Sequence, residues 1–171
     1  MSRLLASGSF RAVPPPEDWR AELEHMLGTR PRRVGAWAEL ALYGALRCMA
    51  EAGEATLPAG DLLLLGSRHG THAATAVALG QMTDDLPMPL AFLQTQPSQV
   101  LALLAARLNW QGHACFFAGA DLAQVRAQAE LLVGQGGALI GWLDDVGTEA
   151  TEWLRLRPVL PTHLGKPDIG R

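Results

Sequence analysis

The stretch Asp61-Leu62-Leu63-Leu64-Leu65-Gly66-Ser67-Arg68-His69-Gly70-Thr71 decides the fold. Four consecutive leucines do not alternate with polar residues, so they predict a strand buried on both faces, spanning Asp61 to Gly66. Gly66 to Gly70 is the turn that follows, and Thr71 is placed to cap a helix running to about Leu79. Strand, glycine-bounded turn and helix in that order are one step of an α/β fold. The same step recurs downstream. Ala114 to Phe117 is a short apolar strand, Gly119 to Asp121 a sharp turn, and Asp121 to Val133 a helix with Leu122, Val125, Ala129 and Leu132 on one face. Gly136-Gly137 ends that helix. Ala138 to Leu143 is a further strand, closed by Asp144-Asp145.

Upstream, Arg3 to Val13 reads as a strand, stopped by Pro14-Pro15-Pro16 because proline removes donors and fixes φ. Glu17 and Asp18 open a short helix that Gly28 ends after Leu27. A longer helix follows from about Ala36 to Ala52, with Trp37, Leu40, Ala41, Gly44 and Cys48 on one face and Gly53 as its cap. Asp84 to Pro89 reads as a loop. Gln96-Pro97-Ser98 then starts a helix whose apolar stripe is Val100, Leu101, Leu104 and Leu108, ended by Asn109 to Gly112. Glu152 to Leu160 alternates and predicts an edge strand, so Arg155 is expected on an outer strand. Residues 1–160 are expected to form one domain, and the tail from Pro161 to Arg171 to be poorly ordered. Strands alternating with helices predict three layers: a mostly parallel open sheet with helices on both faces.

Composition narrows the function classes. The chain has 171 residues, 49% of them apolar and 18% charged, as a packed domain requires. A net charge of -3 gives no basic footprint for nucleic acid. No apolar run reaches the roughly 18 residues of a membrane helix, and the N-terminus has no signal-peptide core. A cytoplasmic location is expected. Cys48 and Cys115 are far apart with no CxxC spacing, so neither a disulfide framework nor a cysteine metal site is expected.

Candidate chemistry concentrates at the turns. Ser67, Arg68 and His69 stand where α/β sheets bind ligands, at the C-terminal end of a strand. The competing reading is a turn whose side chains bond nearby backbone. His69 and His72 share helical spacing, but no third ligand has a matching position, so no metal is expected. Gly66-Ser67 lacks the GxSxG of a hydrolase elbow, and Ser98 follows a proline at a helix start. Asp144-Asp145 is explained by a turn after a strand as well as by a carboxylate pair. Arg30, Arg32 and Arg33 form a basic turn that suits either solvent or a phosphate. Cys48 and Cys115 both read as small buried hydrophobes. The five tryptophans, at 19, 37, 110, 142 and 153, read as core and interface residues.

Three segments together carry a family resemblance. They are Arg32-Arg33 before a small-residue helix, Gly66-Ser67-Arg68-His69-Gly70 after a buried strand, and Gln96-Pro97-Ser98-Gln99-Val100 ahead of the run Gly112 to Asp121, which reads Gly-His-Ala-Cys-Phe-Phe-Ala-Gly-Ala-Asp. Over residues 30–147 the chain resembles the β-ketoacyl synthase N-terminal-like family. These are short relatives of ketosynthases, found among other places in bacterial aryl-polyene and xanthomonadin-type pigment clusters. The resemblance implies the N-terminal half of a thiolase/ketosynthase fold. In ketosynthases the nucleophilic cysteine follows such a strand at a helix N-terminus, where free amides and the helix dipole stabilise a thiolate. Ungapped matching from Gly112 puts Asp121 there, and the histidine-bearing C-terminal half is not expected in a chain of this length. The resemblance therefore implies no catalytic residue and no cofactor. It implies a non-catalytic, chain-length-factor-like subunit for polyketide or fatty-acid-type synthesis, partnered by a complete ketosynthase, an acyl carrier protein or a second copy. Ser67, Arg68, His69, Cys115, Phe116 and Phe117 are then the candidates for ligand or partner contact. A stand-alone protein binding an acyl group or small ligand is the alternative, with an acyl-transfer enzyme using an unrecognised site behind it.

Overall fold

The computed structural model describes residues 4–84 and 89–159. Its elements are β1 (Leu4–Ala12), α1 (Trp19–Leu27), α2 (Ala36–Glu51), β2 (Leu62–Ser67), α3 (His72–Thr83), α4 (Pro89–Gln94), α5 (Pro97–Arg107), β3 (Ala114–Ala118), α6 (Leu122–Leu132), β4 (Ala138–Asp144) and β5 (Ala150–Pro158). Five strands form one sheet in the order β1-β5-β4-β2-β3. β2 runs parallel to both β3 and β4, whereas β5 runs antiparallel to β4 and β1. The sheet is thus mixed, because the short β4–β5 connection permits only an antiparallel neighbour.

Helices cover both faces, as the leucine run requires. Leu63 and Leu65 point into a core built with Trp37, Leu40, Tyr43, Leu104 and Trp153, under α1, α2 and α5. Leu64 points the other way, into a smaller core with Val125 and Ala129 of α6, Ile140 and Leu156. Successive strand residues alternate between faces, and here both faces are apolar. Trp153, fully buried on β5, lies against two glycines. A Cβ at Gly44 of α2 or at Gly141 of β4 would overlap its indole ring.

Several expectations need correction. The strand expected at an edge, Glu152 to Leu160, is β5, and its described part is flanked by β1 and β4. Arg155 is accordingly on an inner strand and buried, at 2% exposure. Its guanidinium meets Glu54 at 2.9 and 3.0 Å and Asp61 at 2.6 Å, and donates to the carbonyl of Leu156 at 2.9 Å. Asp61 also accepts from Gly137 N–H at 2.6 Å. Burying charge is tolerated when every group is paired in this way.

Thr71 does not cap α3 with its side chain; its hydroxyl donates to the Thr95 carbonyl at 2.7 Å. That helix runs to Thr83, and α4 follows where no helix was expected. Leu132 is exposed instead of sharing the buried face of Val125 and Ala129. The tail from Pro161 to Arg171 lies outside the described residues. Among the described residues, no helix is long and apolar enough to cross a membrane.

Candidate functional site

β2 and β4 are parallel neighbours, so their C-terminal ends bring the two turns that follow them together. Ser67, the last residue of β2, is fully buried, and its Oγ accepts the Gly70 N–H at 2.8 Å. Gly70 has φ +62, a conformation a side chain would strain. The serine therefore braces a left-handed turn. That turn presents Arg68 and His69 to solvent. His69 Nδ1 lies 2.7 Å from Oδ2 of Asp144, the buried last residue of β4, and Asp144 Oδ1 accepts the Val146 N–H at 3.2 Å. A carboxylate on Nδ1 fixes the orientation of the ring. Among the described residues no three histidine, cysteine or acidic side chains are grouped to hold a metal ion.

The β3 turn joins the same rim. Gly119 N–H donates to the Ser67 carbonyl at 2.9 Å. Asp121 then starts α6 as a complete capping box: its carboxylate accepts the Gln124 N–H at 2.9 Å, and the Gln124 side chain accepts the Asp121 N–H at 2.9 Å. The box thus satisfies the Asp121 and Gln124 N–H groups at the start of the helix.

Cys115 is exposed, against its expected burial, because β3 is an edge strand paired only with β2 among the described residues. Phe116 and Phe117 are half-buried on opposite faces. Phe116 packs edge-on against Trp37 with ring centroids 6.0 Å apart, and Phe117 lies against the α6 core. Cys48 is fully buried, and that burial pushes its thiol up to about 12.

A cavity of about 380 Å³ opens between the loop before α2 and helices α2, α3, α4 and α5. Its walls include Trp37, Val77, Leu93, Val100 and Leu103; Asp145 also lines it, and the exposed Arg32 and Arg33 stand at its mouth. Burial, and next the charge of Asp144, hold the Asp145 carboxyl above the ordinary aspartate range. The basic turn and Asp145, which the sequence left as separate solvated features, thus share one concavity. Nothing in local spacing joins them, since four helices are needed to close the space.

No family model and no curated protein matches the sequence. Solved structures do match the fold. A complex of a ketosynthase with its chain length factor from Xenorhabdus doucetiae contains a chain that superposes with TM-score 0.65 at 15% identity, over 92% of this chain and 79% of that one. The ishigamide ketosynthase/chain length factor gives 0.66 at 13%, over 92% and 59%. A β-ketoacyl synthase from Burkholderia phymatum gives 0.65 at 13%, over 93% and 60%.

The chain has the ketosynthase-type thiolase fold. At these identities the likeness is one of fold, and the chain spans about three-fifths of the length of the latter two proteins.

Proposed function

We propose that this ketosynthase-like chain is a non-catalytic partner subunit, of the chain-length-factor kind, that docks on a ketosynthase engaged in polyketide or fatty-acid-type chain building. The observation that carries this reading is the state of β3. Natural sheets protect their edges with charge, proline or bulges. The opposite edge strand, β1, has a register shift between Ala6 and Gly8 and carries Arg11. β3 has none of these devices: Ala114-Cys115-Phe116-Phe117-Ala118 is uncharged and regularly paired, with its other edge open among the described residues. An unguarded edge strand is a template for a second chain's strand.

Asp121 supports the non-catalytic part. A carboxylate engaged in a capping box is no acyl-transfer nucleophile, and the amides that would stabilise a thiolate are partly consumed. Ser67, Arg68 and His69 belong, in this reading, to the rim that a partner or its carrier-bound chain passes.

The test is co-expression with the ketosynthases encoded beside this gene, followed by size exclusion with light scattering. A stable complex is expected. Cys115→Lys places a guarding charge on an already exposed edge position, so it should abolish the complex while circular dichroism stays unchanged. The isolated chain should form no product from malonyl- and acyl-carrier protein. A complex indifferent to Cys115→Lys would remove the edge-strand argument. Condensation by the isolated chain would remove the non-catalytic one.

A further inference from the structure

The cavity beneath Arg32 and Arg33 has walls of two kinds. Val77 of α3, Leu93 of α4, and Val100 and Leu103 of α5 give it an aliphatic lining, and its volume, about 380 Å³, lies in the range of small-molecule sites. Val77 and Leu93 are exposed, so covering them would remove apolar surface from water. α3 has no ionisable residue after His72 and α4 has none, so this side brings no charge to the cavity. The charge comes from the opposite side. Arg32 and Arg33 are exposed lining residues, and neither has a carboxylate partner among the described residues. They lead into α2, whose first residues, Ala36 to Ala38, also line the cavity. Gly35 at the N-cap brings no capping side chain, and the acid of the first turn, Glu39, is paired with Arg20. The positive end of a 16-residue helix dipole thus adds to two unpaired guanidinium groups. Asp145 is the one acidic lining residue among those described, so the lining is net positive. An aliphatic recess with a positive mouth is complementary to a molecule that has both a chain and a negative head. A bare anion would leave the aliphatic wall wet, and an uncharged chain would leave the arginines unpaired.

We propose that this cavity binds an amphiphilic anion, a medium-length alkyl chain ending in a carboxylate or phosphate, with the chain against Val77, Leu93, Val100 and Leu103 and the head at Arg32 and Arg33. The head's charge sets this ligand apart from an uncharged acyl thioester. The site is formed within one chain, so it does not rest on docking to a ketosynthase.

Calorimetric titration of the isolated chain tests it with four probes: octanoate, octyl phosphate, 1-octanol and butyrate. At least one of the two octyl anions should bind about tenfold or more tighter than octanol, which keeps the chain and drops the charge. The same anion should bind about tenfold or more tighter than butyrate, which keeps a charge and loses four carbons. Whichever octyl anion binds tells carboxylate from phosphate. Arg32→Gln with Arg33→Gln should bring that anion to the affinity of octanol and leave octanol unchanged. Leu93→Asp, at an already exposed position, should weaken the anion about tenfold or more while circular dichroism stays unchanged. Equal affinity for the octyl anions and octanol would overturn the proposal, as would binding indifferent to the arginine pair or to Leu93→Asp. Absence of binding by all four at millimolar concentration would overturn it too. Each of these outcomes leaves the partner-subunit reading untouched, because that reading rests on the β3 edge.

Discussion

Removing the Arg155 guanidinium, by Arg155→Met, keeps most of the side chain's volume and leaves two carboxylates behind. Glu54 is 12% exposed and Asp61 7%, so neither is returned to water when its partner goes. Asp61 keeps its bond from Gly137 N–H, and Glu54 keeps Arg157, so the damage is partial. The carbonyls of Ala138 and Leu156 also lose a donor. Removing one partner from a buried ion pair costs about 3–5 kcal/mol. For a chain of this size, each kcal/mol corresponds to about 2–4 °C, so the midpoint of thermal unfolding should fall by about 6–20 °C. The effect should also depend on pH. Burial opposes ionisation of Glu54, but hydrogen bonds and charge from Arg155 and Arg157 outweigh it, and its pKa is lowered. A carboxyl with a depressed folded-state pKa contributes stability above its unfolded value and loses it as pH falls through the folded one. The variant's deficit should therefore be full at neutral pH and shrink in acid, where wild type loses the same contribution. Urea unfolding followed by circular dichroism across pH measures this. A deficit under about 1 kcal/mol at pH 7, or one that grows in acid, would refute the burial and pairing described for this cluster.

Three further outcomes are expected. Native protein should present one thiol, Cys115, to an aromatic disulfide reagent at pH 8, and a second, Cys48, only after unfolding; two fast thiols would contradict the burial of Cys48. Asp121→Ala should cost about 0.5–2 kcal/mol by urea titration, and Asp121→Asn should be nearly neutral, since an asparagine oxygen also accepts the Gln124 N–H. Gly141→Ala should destabilise by about 1–3 kcal/mol through overlap with Trp153, and a neutral result would mean that the β4–β5 register is not the one described.

The sequence exposes the sheet's centre more readily than its margins. Leu62 to Leu65 declare a strand buried on both faces, and that alone implies helices above and below. β5 misleads because Glu152, Arg155 and Arg157 look like solvent-facing residues. The groups that neutralise Arg155 are Glu54 and Asp61, about 100 residues earlier, and no local pattern announces such a pairing. Cys115 misleads in the opposite direction: an apolar strand suggests burial, but exposure depends on whether another strand lies alongside. The Gly66 to Gly70 turn was legible as a rim feature. Its His69–Asp144 contact was not, because it spans 75 residues and requires β2 and β4 to be neighbours.

The rim at the C-terminal ends of β2, β3 and β4 gathers groups already engaged within the chain. At the start of α6 the capping box engages the N–H groups of Asp121 and Gln124. Ser67, the nearest hydroxyl in sequence to His69, is buried and committed to Gly70 N–H, out of reach of an incoming acyl carbon. The His69–Asp144 pair thus has an orienting carboxylate but no hydroxyl or thiol to activate among the contacts described. What this end of the molecule presents is the exposed His69 and Arg68 side chains and, beside them, the unguarded edge of β3. Those are features able to meet another molecule, as the proposed partner-subunit reading requires.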